Sequence, residues 1–111
     1  QFKGNETLFK HILFNLLKNA LYYVKAANKG GVFITTQQTA NENILIFKDT
    51  GSGMPAAMVP YVFDRFYSKT QHGTGIGLAF CKSVMESFSG KITCMAEERQ
   101  HTTFILSFPK V

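Results

Sequence analysis

The chain has 111 residues and 45% hydrophobic content, enough to bury one core and too little for two domains. Its net charge is +5, but the Lys and Arg residues are scattered instead of gathered into a stripe or tail, which argues against a nucleic-acid partner and suffices for a small polyanionic ligand. No apolar run approaches the roughly 20 residues that span a bilayer and no signal-peptide pattern opens the chain; Cys81 and Cys94, flanked by apolar residues and without metal-ligand spacing, read as reduced core residues in a cytosolic setting.

Glu6 to Asn28 is helical by periodicity: Leu8, Phe9, Ile12, Leu13, Leu16, Leu17, Ala20, Leu21 and Val24 recur at intervals of three and four, with Asn5 as N-cap and Gly30-Gly31 as the stop. His11, Asn15, Asn19 and Tyr23 fall at successive i, i+4 positions and form one polar row on that helix. Two asparagines in mid-helix carry a propensity cost. The row is either a solvent-facing edge or a source of neutral carbonyl oxygens for a hard cation such as Mg²⁺.

Val32 to Gln38 and Ile44 to Lys48 read as a hairpin around the polar turn Thr39 to Asn43, and the second strand, apolar on both faces, is central. The stretch "KDTGSGMP" then places Asp49 at the end of a buried strand, followed by Gly51 and Gly53. Asp49 is either a simple turn former or an acceptor-only partner for an exocyclic amine. Thr50 to His72 is irregular, with one short helix around Ala56 to Phe63, and it is long for so small a domain. In "HGTGIGLAFCK", Gly73, Gly75 and Gly77 stand at every second position against a second helix from Gly75 to Phe88, which ends near Gly90. Bare backbone at a helix N-terminus suits phosphate, although a plain mobile loop has the same composition. The pattern is neither a P-loop nor the dinucleotide fingerprint. Lys91 to Ala96 and Thr102 to Phe108 form a second hairpin around Glu97 to His101. This order implies helices layered on one face of a mixed, mainly antiparallel sheet. The start at Gln1 without Met reads as a fragment of something larger.

The segments "NLLKNALYY", "DTGSGMP", "VFDRFYSK" and "GTGIGL" occur in the order of the N, G1, F and G2 boxes of sensor histidine kinases. The chain resembles the catalytic ATP-binding domain of such a kinase, within the GHKL group that includes gyrase B, a heat-shock chaperone ATPase and MutL. The boxes run from Asn15 to Leu78, and the flanking elements from Glu6 to Phe108 follow the same topology. The resemblance implies an α+β, Bergerat-type α/β sandwich: a sheet of about five strands, about three helices on one face, and an ATP lid. Residues 1–111 would be a single catalytic domain without its dimerisation and phosphoacceptor domain.

The site residues follow from the same resemblance, with ATP and Mg²⁺ as cofactors. Asn19 matches the asparagine that coordinates the Mg²⁺ bridging the phosphates, and Asn15 sits one turn earlier, where hydrolysing relatives carry a glutamate. An amide accepts no proton at neutral pH, so slow hydrolysis is implied. Tyr23 matches an aromatic flanking the nucleotide, whereas Tyr22 stands where many members carry a cation. Asp49 matches the adenine-binding acid, with Gly51, Gly53 and Met54 beside the base. The lid runs from about Met54 to Thr74, with Phe63 and Phe66 as F-box anchors or as ordinary core. Lys69 is the candidate lid cation, or a solvated surface lysine, with Arg65 and His72 nearby in sequence. Gly73, Thr74, Gly75, Ile76, Gly77 and Leu78 close over the triphosphate, Thr74 adding a hydroxyl. Thr102 matches an adenine-side contact, but His101 replaces the usual preceding glycine.

The phosphoryl acceptor in the family is a histidine on a separate helical dimerisation domain, within His-Glu-hydrophobe-basic-x-Pro. None of His11, His72 or His101 has that context, so the chain is expected to bind Mg-ATP without phosphorylating itself. Its implied partners are that domain and a response regulator or receiver domain, with no nucleic acid and no direct membrane contact. The domain would be a monomer, the cytoplasmic part of a membrane-anchored bacterial sensor kinase. Two alternatives share the fold: an anti-sigma-factor-type serine kinase, and a degenerate kinase serving as a nucleotide-binding or interaction module. The run "FKGNETLFKHILFNLLKNALYY" and the short lid also resemble hybrid kinases of autoinducer sensing.

Overall fold

The computed structural model describes residues 6–64 and 77–109. Helix α1 (Glu6–Ala27) buries Ile12, Leu16, Ala20 and Tyr23, a row at intervals of four, four and three that forms its core face. It ends one residue before the expected Asn28. Asn28 takes the left-handed conformation (φ 56°), its N–H donates to the Lys25 carbonyl at 3.1 Å, and the Lys29 N–H donates to Val24 at 3.3 Å. This is a Schellman closure with asparagine in the position that glycine most often takes. Helix α2 (Gly77–Ser87) closes in the same way through Ser89 (φ 62°): Ser89 N–H bonds Glu86 at 3.0 Å and Gly90 N–H bonds Met85 at 2.8 Å. The expected N-cap Asn5 and the expected helix start at Gly75 lie outside the described residues.

Four strands follow the two expected hairpins: β1 (Val32–Gln38), β2 (Glu42–Asp49), β3 (Lys91–Glu97) and β4 (His101–Pro109). Their order is β1-β2-β4-β3, every pairing is antiparallel, and β2 is indeed central. Among the described residues the sheet therefore has four strands, all antiparallel, against the expected mixed sheet of about five. The β1–β2 turn is tied by Thr39, whose Oγ accepts from the N–H groups of Asn41 at 3.3 Å and Glu42 at 3.0 Å.

Register sets the inner face in three rows: Leu45–Leu106–Ile92, Phe47–Phe104–Cys94 and Asp49–Thr102–Ala96. The first two rows join Ile12, Leu16, Ala20, Cys81, Val84, Met85, Phe88 and Phe108 in the main core. Burying each large side chain contributes about 1.5–3 kcal/mol. The Cys81 thiol points at the Ile12 carbonyl, 3.9 Å away, between the two helices, and both cysteines are free as expected. A 3₁₀ turn (Ala56–Tyr61) stands where a short helix was expected. Pro60, which lacks an N–H to donate, lies inside it. Its Met58 and Val59 pack with Val62 on Tyr23 and Met54, so the helical layer comprises α1, α2 and this turn. No helix among the described residues is long and apolar enough to cross a membrane.

Candidate functional site

The third row of the inner face is different in kind, because a carboxylate and a hydroxyl stand where the first two rows carry apolar groups. Asp49 is 2% exposed and Thr102, its direct neighbour across β2–β4, is 0% exposed. The Gly51 N–H donates to Asp49 Oδ1 at 3.0 Å. That bond lowers the carboxyl pKa, yet burial outweighs it and pushes the group up to about 6. The charge is felt nearby, since Cys94 is pushed up to about 12 by burial and, second, by the negative field of Asp49. Thr102 Oγ is buried without a hydrogen-bond partner, and so is Asn19 Nδ2 on α1. An unpartnered buried polar group costs about 1–3 kcal/mol, so the Thr102 hydroxyl beside the Asp49 carboxylate marks a place suited to a polar guest.

The loop after Asp49 is clamped between α1 and the β3–β4 turn. Ser52 N–H donates to the Tyr23 carbonyl at 3.1 Å, and Arg99 N–H donates to the Ser52 carbonyl at 2.6 Å. Gly51 lies so close to the helix that a Cβ would come within 2.5 Å of the Tyr23 carbonyl oxygen, and Gly53 (φ 64°) would drive one into the Glu97 carbonyl. Both positions require glycine for these contacts, a reason the sequence does not display.

Of the residues expected at the site, the structure pairs Asp49 with Thr102 across β2–β4 and gathers Tyr23, Met54 and Leu78 in one cluster. Asn15, Asn19 and Tyr23 lie on α1, with Tyr23 one turn beyond Asn19 and carrying the loop that Asp49 begins. Tyr23, Met54 and Val62 form a small apolar cluster joined by Leu78 from the first turn of α2, which Gly77 opens. Asn15 donates its amide to the His11 carbonyl at 3.0 Å, a bond along its own helix. Phe63 packs in the core, edge-on to Phe104 at 6.1 Å, so it fulfils its ordinary core role. Phe66, Lys69, Gly73, Thr74, Gly75 and Ile76, with Arg65 and His72, lie outside the described residues. The substitution of His101 for glycine leaves Thr102 on the inner face, since the His101 ring engages Thr103 Oγ at 2.9 Å on the other face. Tyr22 meets Tyr23 edge-on at 5.5 Å, packed against the same cluster.

Sequence reasoning placed the β3–β4 turn at Glu97 to His101 but gave its residues no part in a site. Glu98 and Arg99 line a cleft of about 270 Å³ together with Tyr22, Tyr23, Ser52 and Gly53. Arg99 adopts a left-handed conformation (φ 64°) without any glycine in the segment to announce it. Among the described residues no group of three His, Cys, Asp or Glu is placed to hold a metal. A hard cation here would take the Asn19 carbonyl oxygen and depend on phosphates for its other ligands, a donor set that Mg²⁺ tolerates.

Comparison with known proteins gives the same direction. The catalytic domain of histidine kinase ThkA superposes with a TM-score of 0.84 at 26% identity, over 98% of this chain and 70% of that one. A mycobacterial sensor histidine kinase, MprB, superposes at 0.87 over 98% and 76% of the two chains; at 24% identity it speaks for the fold alone. The autoinducer 1 sensor kinase/phosphatase LuxN of Vibrio harveyi is 42% identical over 110 residues, covering 98% of this chain and 13% of LuxN. The CAI-1 autoinducer sensor kinase/phosphatase CqsS of Vibrio cholerae is likewise 42% identical, over 98% of this chain and 16% of CqsS. Sensor protein SrrB of Staphylococcus aureus is 38% identical over 89% of this chain and 18% of SrrB. The chain thus spans less than a fifth of each of these curated relatives. Residues 4–111 match the family described as histidine kinase-, DNA gyrase B-, and HSP90-like ATPase, and the chain belongs to that family as a catalytic domain of the sensor histidine kinase kind.

Proposed function

We propose that this domain binds ATP with Mg²⁺ and, within a full-length sensor kinase, presents the γ-phosphoryl group to a histidine on the dimerisation domain. The reading rests on one observation above all, a buried carboxylate at Asp49 beside the unpartnered hydroxyl of Thr102. Phosphates offer no amine to such an acceptor, whereas an adenine edge does. Asp49 would accept from the exocyclic amine while Thr102 meets the adjoining ring edge, and Gly51, Gly53, Met54 and Tyr23 would shape the base pocket. Asn19 would supply a carbonyl oxygen to the cation, with Asn15 in the adjacent turn. Lys69 and the backbone from Gly73 to Leu78 would hold the phosphate tail. Bound Mg²⁺ would neutralise charge developing on the transferred group, as phosphoryl transfer requires. Asn15 has no basic atom to activate water, so transfer to an external acceptor is favoured over hydrolysis. A dimerisation domain and a response regulator are the corresponding partners.

Calorimetric titration with a non-hydrolysable ATP analogue, with and without Mg²⁺, tests the reading. Asp49→Ala should abolish binding, whereas Asn19→Ala should chiefly remove the Mg²⁺ dependence. Unchanged affinity in Asp49→Ala would rule out the base contact. Incubation of the 111-residue chain with γ-labelled ATP should leave no stable label, since its three histidines lack the phosphoacceptor context.

A further inference from the structure

Helix α1 has a third side that neither the core nor the candidate site uses. Lys10, Phe14, Leu17, Lys18, Leu21 and Lys25 fall at i, i+4, i+7, i+8, i+11 and i+15, a single stripe about 100° wide. All six are exposed, with Phe14 at 62%, Leu21 at 53% and Leu17 at 40%. Three large apolar side chains on one exposed helical stripe are unusual on a free surface. In heptad terms Phe14 and Leu21 take a positions, Leu17 takes d, and Lys18 and Lys25 take e, the arrangement of a helix seam with charged flanks. The charge has one sign. After Glu6, α1 contains no acidic residue, and the Lys18 ammonium lies 5.7 Å over the Phe14 ring. A second copy of this face would set lysine against lysine, so the sign of the charge argues against self-pairing.

We infer that this stripe docks an acidic amphipathic helix, whose apolar side chains seat against Phe14, Leu17 and Leu21 while its carboxylates meet Lys10, Lys18 and Lys25. The apolar seam supplies area, and the flanking charges supply orientation and partner choice.

The test uses two 21-residue fluorescent helical peptides, each with leucine at a and d, one with glutamate at e and g and the other with lysine. Anisotropy titration of the 111-residue chain should show salt-sensitive binding of the glutamate peptide and little of the lysine peptide. Phe14→Ser with Leu21→Ser should weaken it about tenfold or more. The paired reversal Lys18→Glu with Lys25→Glu should exchange the preference, and titration with the ATP analogue should be unaltered because the stripe lies off the site. Equal binding of both peptides, or a preference indifferent to the reversal, overturns the inference. So does sedimentation of the chain as a dimer that Leu21→Ser disperses, since the occupant would then be a second copy.

Discussion

A carboxyl group that keeps its proton to about pH 6 when folded, against an ordinary value of 3.8, makes Asp49 a source of opposing pH effects. Protonation favours the folded chain, so the stability it contributes is fully present below pH 3.8 and is lost as pH rises through about 6. The loss amounts to roughly 3 kcal/mol for a shift of about two units. Binding runs the other way, because only the ionised group accepts from an amine with both oxygens. Affinity for the ATP analogue should therefore fall about tenfold per unit below pH 6 and level off above it. Titrations at about pH 5 and pH 7.5, with chemical denaturation at the same values, measure both slopes; equal affinities at the two pH values would remove Asp49 from the base contact. Asp49→Asn should flatten the stability slope. Asp49 was legible as a candidate because it ends an apolar strand and precedes a glycine-rich turn. Its raised pKa was not, because burial depends on what the chain folds over it.

The helices show how far local signals reach. Glycine pairs and single glycines near helix ends read as stops, and Gly30 and Gly90 do follow α1 and α2 closely. The residues that turn the chain are Asn28 and Ser89, both left-handed. A side chain in that conformation costs about 1–2 kcal/mol, less for asparagine, whose short amide tolerates it. Ser89→Gly should therefore stabilise the chain by about 1 kcal/mol and Asn28→Gly by less, both read from urea midpoints at unchanged slope. A lower midpoint for Ser89→Gly would mean that its side chain holds something the left-handed strain does not outweigh. The strands were nearly complete from alternation and turn residues alone, since each hairpin is local. The segment around Pro60 reads as a short helix without its 3₁₀ pitch, because proline marks an interruption and not the pitch.

At the scale of the whole molecule the decisive event is the antiparallel union of β2 with β4, which no local pattern announces. It joins the two hairpins, places Phe47 against Phe104 in the core, and brings Thr102 beside Asp49 across 53 residues of sequence. The bond that the Arg99 N–H makes to the Ser52 carbonyl, which ties the β3–β4 turn to the loop after β2, stayed hidden for the same reason. The same union fixes a trade between stability and binding. Thr102 presents a fully buried hydroxyl with no partner, in a position where valine has the same shape and no polar atom. Removing an unsatisfied buried group by an isostere relieves its desolvation cost, of order 1–3 kcal/mol, while an inner-face neighbour of Asp49 loses its only polar atom. Thr102→Val should raise the unfolding temperature of the free chain by several degrees, about 4–8 °C per kcal/mol for a domain this small. The additional rise on adding the ATP analogue should shrink, because less ligand is bound at a given concentration. A valine chain that melts below the parent would show the hydroxyl to be satisfied within the fold. One that melts higher and still gains the parental increment would place the purine away from β4.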